Sequence, residues 1–127
     1  MRKLINNPAD VVDELIDGFV YTNRDRVKRI GRNTVVARID APIKDKVGIV
    51  IGGGAGHEPL FLEFIGKGMA DAEAHGQIFA APSASYCLEA IKAANGGRGV
   101  ILLYNNYAGD VMNFNMAQDM ARDEGVK

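Results

Sequence analysis

Two polar side chains that could carry acid–base chemistry each follow a short apolar run of the sequence. His57 comes shortly after the run at residues 47–51, and Asp110 comes after the run at residues 99–104. Both runs have the length and composition of buried strands. Ligands of open α/β sheets bind beyond the carboxyl ends of the strands, so these side chains meet over one crevice if the strands are close neighbours. An imidazole and a carboxylate placed there form a pair that can exchange protons with a substrate.

The segment between the first run and His57 reads Gly-Gly-Gly-Ala-Gly at residues 52–56. It predicts a turn after the strand, because glycine lets the backbone approach a ligand closely. A helix predicted from Glu58 would place its N-terminus beside His57 and favour the neutral imidazole. The segment does not match the dinucleotide or Walker patterns, since their third glycine or Gly-Lys-Ser/Thr is missing. Contact with a ligand is the favoured interpretation, and tight packing alone is the alternative.

Each candidate residue also has a purely structural interpretation. His57 could simply satisfy a neighbouring group, and Asp110 could cap a helix that begins at Val111. His75 lies in a polar stretch flanked by glycine and is predicted to be an ordinary surface residue. The two histidines lack the spacing of metal ligands and a cysteine partner, so no metal site is expected. Cys87 is predicted to be a small core residue.

The order of the predicted elements is that of an α/β protein. Residues 21–33 are predicted to form a surface connection. Helices are predicted at residues 7–20, 58–66, 83–94 and 111–122, and strands at residues 34–39, 47–51, 77–80 and 99–104. This alternation predicts a mostly parallel sheet with helices on both faces. On the last helix, Met112, Met116 and Met120 recur at helical spacing and are predicted to lie in the core.

Composition limits the classes of function. The chain has 127 residues, which predicts a single α/β domain over residues 1–127. A net charge of -1 gives no electrostatic reason to expect binding to nucleic acid or to a membrane surface. The single cysteine rules out an internal disulfide and favours the cytoplasm.

Two motifs resemble the substrate-binding subunit of dihydroxyacetone kinases. The first is Gly-Gly-Gly-Ala-Gly-His-Glu-Pro at residues 52–59, and the second is Asn-Tyr-Ala-Gly-Asp at residues 106–110, followed by Asn113-Phe114. Shorter segments at residues 3–6, 37–42 and 79–83 are similar too. The resemblance therefore covers essentially the whole chain, in order.

The resemblance implies that the chain is the first part of a subunit that binds the ketone in a ketotriose (glycerone) kinase. His57 and Asp110 match the family's acid–base residues. The substrate-binding positions are Gly54, Ala55, Gly56, His57, Asn105 and Asp110. In this family a histidine in a later part of the subunit bonds covalently to the ketone, so the chain is expected to be inactive by itself.

The resemblance also implies partners. ATP or ADP with magnesium is expected on a separate helical domain or subunit, or the donor is a phosphotransferase-system carrier, so this chain is expected to bind no cofactor. Dihydroxyacetone, the nucleotide-binding subunit, the missing carboxyl-terminal half and a second copy of the subunit are the expected partners. Nucleic acid and membrane are not expected.

Two residues depart from the family's usual pattern. Ala55 stands where a serine is more usual, and Asn105 stands where the best-known bacterial members carry a lysine. Loss of that cation is expected to shift the preference toward a four-carbon ketose such as erythrulose, or to lower activity.

The rival hypothesis is a catalytically silent paralogue that binds the ketone and signals to a protein partner, as a coactivator branch of the family does. A nucleotide-binding domain is disfavoured by the failed phosphate motifs.

Overall fold

The computed structural model describes residues 3–127 of the chain. In chain order the helices are α1 (Val11–Thr22), α2 (Ala84–Ala94) and α3 (Ala108–Asp123), with 3₁₀ turns at Pro8–Asp10 and Leu62–Phe64. The strands are β1 (Val27–Arg29), β2 (Val35–Arg38), β3 (Gly48–Ala55), β4 (Ala72–Ile78) and β5 (Val100–Tyr104).

The strands form one mixed sheet in the order β1-β2-β4-β3-β5. β3 pairs in parallel with β4 and β5, whereas β2 pairs antiparallel with both β4 and β1. The prediction of a mostly parallel sheet is therefore wrong. Residues 21–33 contain β1, which pairs with the next strand and adds an antiparallel edge. Because β1 has only three residues and two of them are Lys28 and Arg29, no apolar run marks it in the sequence.

Successive side chains of β2 pack in different apolar clusters. Val35 and Ala37 pack with residues of α2 and α3, whereas Val36 packs with residues of α1. This alternation follows from the two-residue period of a strand. Cys87 is fully buried in the cluster of α2 and α3, which confirms its prediction as a core residue.

The sequence favours Asn7 as the cap of the first helix and Ser83 or Ser85 as the cap of α2, and in the structure Asn7 caps the 3₁₀ turn before α1 and Ser83 caps α2. The Asn7 side chain accepts a hydrogen bond from the Ala9 amide at 3.1 Å, although a 3₁₀ turn precedes α1 there. Ser83 caps α2, because its hydroxyl accepts a hydrogen bond from the Tyr86 amide at 3.4 Å. Both caps satisfy amides that have no partner inside the helix.

The methionines of α3 do not lie in the core, so that prediction is wrong. Met112, Met116 and Met120 are 60%, 51% and 38% exposed. The buried face of α3 is instead formed by Phe114, Ala117 and Ala121. Helical spacing shows that the methionines share a face, but not which face packs on the sheet.

A buried carboxylate ties the strands together at the amino end of β3. Asp71 is 2% exposed and accepts hydrogen bonds from Arg38 at 3.1 Å and from the Ile49 amide at 2.8 Å. Lys46 completes the ion-paired cluster. The cluster therefore joins β2, β3 and the residue that precedes β4.

Within residues 3–127, no helix combines the length and apolarity needed to cross a membrane.

Candidate functional site

The glycine-rich segment belongs mostly to β3. Pairing with both neighbouring strands continues through Gly52, and pairing with β4 reaches Ala55 after an irregularity. The chain leaves the strand at Gly56, whose φ of +97° suits glycine. The prediction of a turn over residues 52–56 is therefore wrong for all but its last residue. Hydrogen bonds to two flanking strands outweigh the low strand propensity of glycine.

Two glycines of this strand make room for aromatic rings. A Cβ atom on Gly52 would lie 2.8 Å from the ring of Phe114 and 2.5 Å from the carbonyl oxygen of Ala74. A Cβ atom on Gly53 would overlap the ring of Phe61. The residue type at these positions is thus set by close packing, which was the alternative interpretation of the segment.

No α-helix follows the strand. The predicted helix at residues 58–66 is replaced by turns and one 3₁₀ turn. The apolar residues there do not share one helical face, because Phe61 and Leu62 are buried in different clusters. His57 consequently does not precede a helix, and the predicted effect of a helix that begins at Glu58 does not apply.

A cavity of about 340 Å³ lies beyond the carboxyl ends of β3, β4 and β5. It is lined by Gly54, His57, Phe79, Ala80, Ala81, Asn105, Tyr107, Gly109 and Asp110. The structure therefore brings together four of the predicted substrate-binding residues. Ala55 and Gly56 are the two predicted residues that it does not place in the lining. Gly54 packs closely against Ala80, another residue of the lining, since a Cβ atom on Gly54 would lie 2.9 Å from the backbone nitrogen and oxygen of Ala80.

Asp110 is a buried carboxylate in the first turn of α3. The residue is 3% exposed, and its Oδ1 atom has no hydrogen-bond partner among the described residues. Burial raises the pKa of the Asp110 carboxyl, and the nearby charge of His57 opposes that rise. Tyr107 is the N-cap of α3, so the alternative interpretation of Asp110 as a cap is wrong. Burial, together with the charge of Asp110, also raises the pKa of the Cys87 thiol to about 12.

The rim of the cavity is aromatic. The rings of His57 and Phe79 are 5.4 Å apart and tilted by 57°. Phe79 is 74% exposed and has a φ of +54°, which is rare for a bulky residue. The segment after Phe79 is fixed to α3, because the side-chain amide of Asn113 donates a hydrogen bond to the Pro82 carbonyl at 2.8 Å.

The prediction of His75 as a surface residue is wrong, because its imidazole is buried. His75 is 0% exposed, its Nδ1 atom lies 2.5 Å from Glu73 Oε1, and its Nε2 atom lies 3.4 Å from Glu58 Oε1. The signal was present in the sequence Ala-Glu-Ala-His at residues 72–75. Because Ala72 and Ala74 pack in the cluster of α2 and α3, the Glu73 and His75 side chains lie on the opposite face of the sheet.

The site suits a small, uncharged, oxygen-rich ligand. Its described lining offers an imidazole, a carboxylate, an amide and a phenol, but no lysine or arginine that could pair with a phosphate. Over residues 3–127, no group of three or more His, Cys, Asp or Glu residues is arranged to hold a metal ion. The arrangement can therefore bind hydroxyl or carbonyl groups and exchange a proton with them.

Residues 17–127 match the family model of the Dak1 domain. The chain belongs to the Dak1 domain family. This Dak1 chain is 44% identical, over 126 residues, to the dihydroxyacetone-binding subunit DhaK of a PTS-dependent dihydroxyacetone kinase from Lactococcus lactis. The match covers 99% of the chain and 38% of the relative, so the chain spans about two-fifths of the length of that curated relative. The resemblance found in the sequence is confirmed.

Two solved structures are similar to the Dak1 chain. The crystal structure of the dihydroxyacetone kinase of C. freundii superimposes with a TM-score of 0.91 and 36% identity, covering 99% of this chain and 24% of that one. A protein described as the dihydroxyacetone kinase operon co-activator Dha-DhaQ superimposes with a TM-score of 0.83 and 31% identity, covering 90% of this chain and 34% of that one. Kinases and a co-activator thus share this fold.

Proposed function

We propose that the chain binds dihydroxyacetone, or a related short ketose, as the acceptor-binding part of a dihydroxyacetone kinase. The observation that carries the proposal is the position of His57 and Asp110 on one cavity at the ends of the paired strands β3 and β5. The described lining has no cation for a nucleotide phosphate, which fits an acceptor site better than a donor site. The names of the kinase relatives support the substrate class.

His57 and Asp110 act as the acid–base pair in this proposal. As a hydroxyl oxygen of the ketose bonds to the transferred phosphorus, the bond from phosphorus to the donor breaks and the hydroxyl proton passes to the pair. The backbone of Gly54 and the side-chain amide of Asn105 hold the ketose in place. Such a site contributes mainly positioning, which is most of what phosphoryl transfer requires from a protein.

The donor side lies outside this chain in the proposal. We expect ATP or ADP with magnesium on a separate helical domain or subunit, or a phosphotransferase-system carrier as donor. The chain represents the first part of a longer cytoplasmic subunit that pairs with a second copy and holds the covalent histidine elsewhere. Alone it binds the ketose without phosphorylating it.

Ligand titration of the ¹⁵N-labelled chain tests the binding step. Dihydroxyacetone is expected to shift the amide signals of Gly54, His57 and Asp110, whereas glycerol, which has hydroxyls but no carbonyl, shifts them less. The double variant His57→Ala, Asp110→Asn is expected to lose the response. The proposal is wrong if dihydroxyacetone produces no shifts at the cavity or only those that glycerol also produces.

A ketone-sensing role without catalysis is the second candidate. Two observations favour it, namely the similarity to the Dha-DhaQ co-activator and the presence of Asn105 in the cavity wall. A coupled phosphorylation assay on the whole protein that contains this chain, with donor and partner subunit supplied, separates the candidates. Binding of the ketone without turnover supports the sensor, and turnover supports the kinase.

A further inference from the structure

The turn that carries His57 is closed by hydrogen bonds to a charged side chain. Both carboxylate oxygens of Glu58 accept hydrogen bonds from the Gly56 amide, at 3.1 and 3.0 Å. His57 lies between these two residues and lines the cavity. The orientation of His57 therefore depends on where the Glu58 carboxylate is fixed.

The Glu58 carboxylate faces the buried imidazole of His75. The His75 Nε2 atom lies 3.4 Å from Glu58 Oε1, and the Nδ1 atom lies 2.5 Å from Glu73 Oε1 on the other side of the ring. A neutral imidazole has one N–H group and can donate to only one of two carboxylates, whereas an imidazolium donates to both. Among the described residues, the Nε2 atom has no hydrogen-bond partner, so its 3.4 Å approach to Glu58 is an ion pair that forms only when the ring is doubly protonated.

The residue that carries this imidazole is buried, and its backbone is hydrogen-bonded to Thr34. His75 is 0% exposed, its amide donates to the Thr34 carbonyl at 2.8 Å, and the Thr34 hydroxyl donates to the His75 carbonyl at 2.5 Å. Glu73 on the same strand and Glu58 after β3 are the charged groups that act on the ring, and the residue before β2, Thr34, is uncharged. Burial by itself lowers the pKa of His75, but the two carboxylates outweigh that effect and raise it.

From this geometry we infer that His75 is a positioning residue, which acts through Glu58 to fix the Gly56–Glu58 turn and so to orient His57 toward the cavity. A buried charge is tolerated when it is paired and hydrogen-bonded, and here the pairing links the sheet interior to the site. The role in catalysis rests on the proposed function, whereas the fixing of the turn does not.

The chain has only two histidines, so NMR of imidazole nitrogens can test the inference directly. The His57→Gln variant assigns the two rings. In the wild type, the pKa of the His75 imidazole is expected to lie above the ordinary value of 6.5, because the two carboxylates outweigh its burial. The Glu58→Gln variant keeps an oxygen for the Gly56 amide but removes the charge. It is expected to lower the pKa of His75, to shift the signals of the Gly56 amide and the His57 ring, and to weaken binding of dihydroxyacetone about tenfold.

Glu63→Gln is the matched control, because Glu63 is an exposed acid of the nearby 3₁₀ turn and does not line the cavity. It should leave both histidines unchanged. The inference is overturned if Glu58→Gln leaves the pKa of His75 unchanged, or if it moves the His57 and Gly56 signals no more than Glu63→Gln does. If these signals move as expected but the wild type does not bind dihydroxyacetone, the positioning role is supported and the proposed function fails.

Discussion

Substitution of Gly54 by alanine should test how tightly the cavity wall is built. The added Cβ atom would lie 2.9 Å from the backbone nitrogen and oxygen of Ala80 and 3.2 Å from its carbonyl carbon. Since ordinary contacts of carbon begin at about 3.5 Å, the Ala80 backbone must retreat by about 0.5 Å. Overpacking of this kind costs about 1–3 kcal/mol of unfolding free energy, against a gain of about 0.4–1 kcal/mol from a less flexible unfolded chain.

Gly66→Ala is the matched control for this experiment. A Cβ atom on Gly66 meets nothing within 4 Å and its φ lies outside the left-handed region, so the change should stabilise the chain by about 0.4–1 kcal/mol. Urea unfolding followed by circular dichroism measures both variants. We expect the two changes to have opposite signs, with Gly54→Ala losing about 1–2 kcal/mol. Equal stabilities of the two variants would show that the cavity wall yields freely and that the packing argument is wrong.

Four further predictions concern other groups. In the whole kinase that contains this chain, His57→Ala and Asp110→Asn should each lower kcat by about 10²–10⁴-fold in a coupled assay, and unchanged turnover in both would refute their roles. The acid limb of the wild-type pH–rate profile should lie above the ordinary Asp pKa of 3.8, because burial raises the pKa of Asp110. Asp71→Asn should destabilise the chain by about 1–3 kcal/mol in urea, since it removes the buried charge that pairs with Arg38 and Lys46, although Arg38 keeps Asp40 as a partner, whereas the exposed Asp119→Asn should change stability by less than about 0.5 kcal/mol. Because the pKa of His75 is raised above 6.5 in the fold, its stabilising contribution should be complete below pH 6.5 and disappear as the pH rises through the raised value; a urea midpoint that stays constant across that range, or rises, would contradict this.

The parts of the fold that local sequence encodes could be predicted. The apolar runs became β3 and β5, and the caps Asn7 and Ser83 begin their helices. The shared crevice of His57 and Asp110 was predicted on the condition that the two runs are close neighbours, and the parallel pairing of β3 and β5 meets that condition.

The parts that tertiary contacts decide could not be predicted. β1 has no apolar signature and exists because β2 offers it a partner edge. The glycines of β3 look like a turn until the two flanking strands are known. His75 looks like a surface residue because its acidic partners, Glu73 and Glu58, lie 2 and 17 positions away in the sequence. No local pattern shows that Glu58 approaches the His75 ring in the fold.

The close fit between Gly53 and the buried ring of Phe61 means that this glycine shares one volume with one benzyl group. A scan that changes one position at a time would judge both sites intolerant. A library that varies the two together, with a larger residue at position 53 and a smaller one at position 61, should recover folded members that single scans never sample.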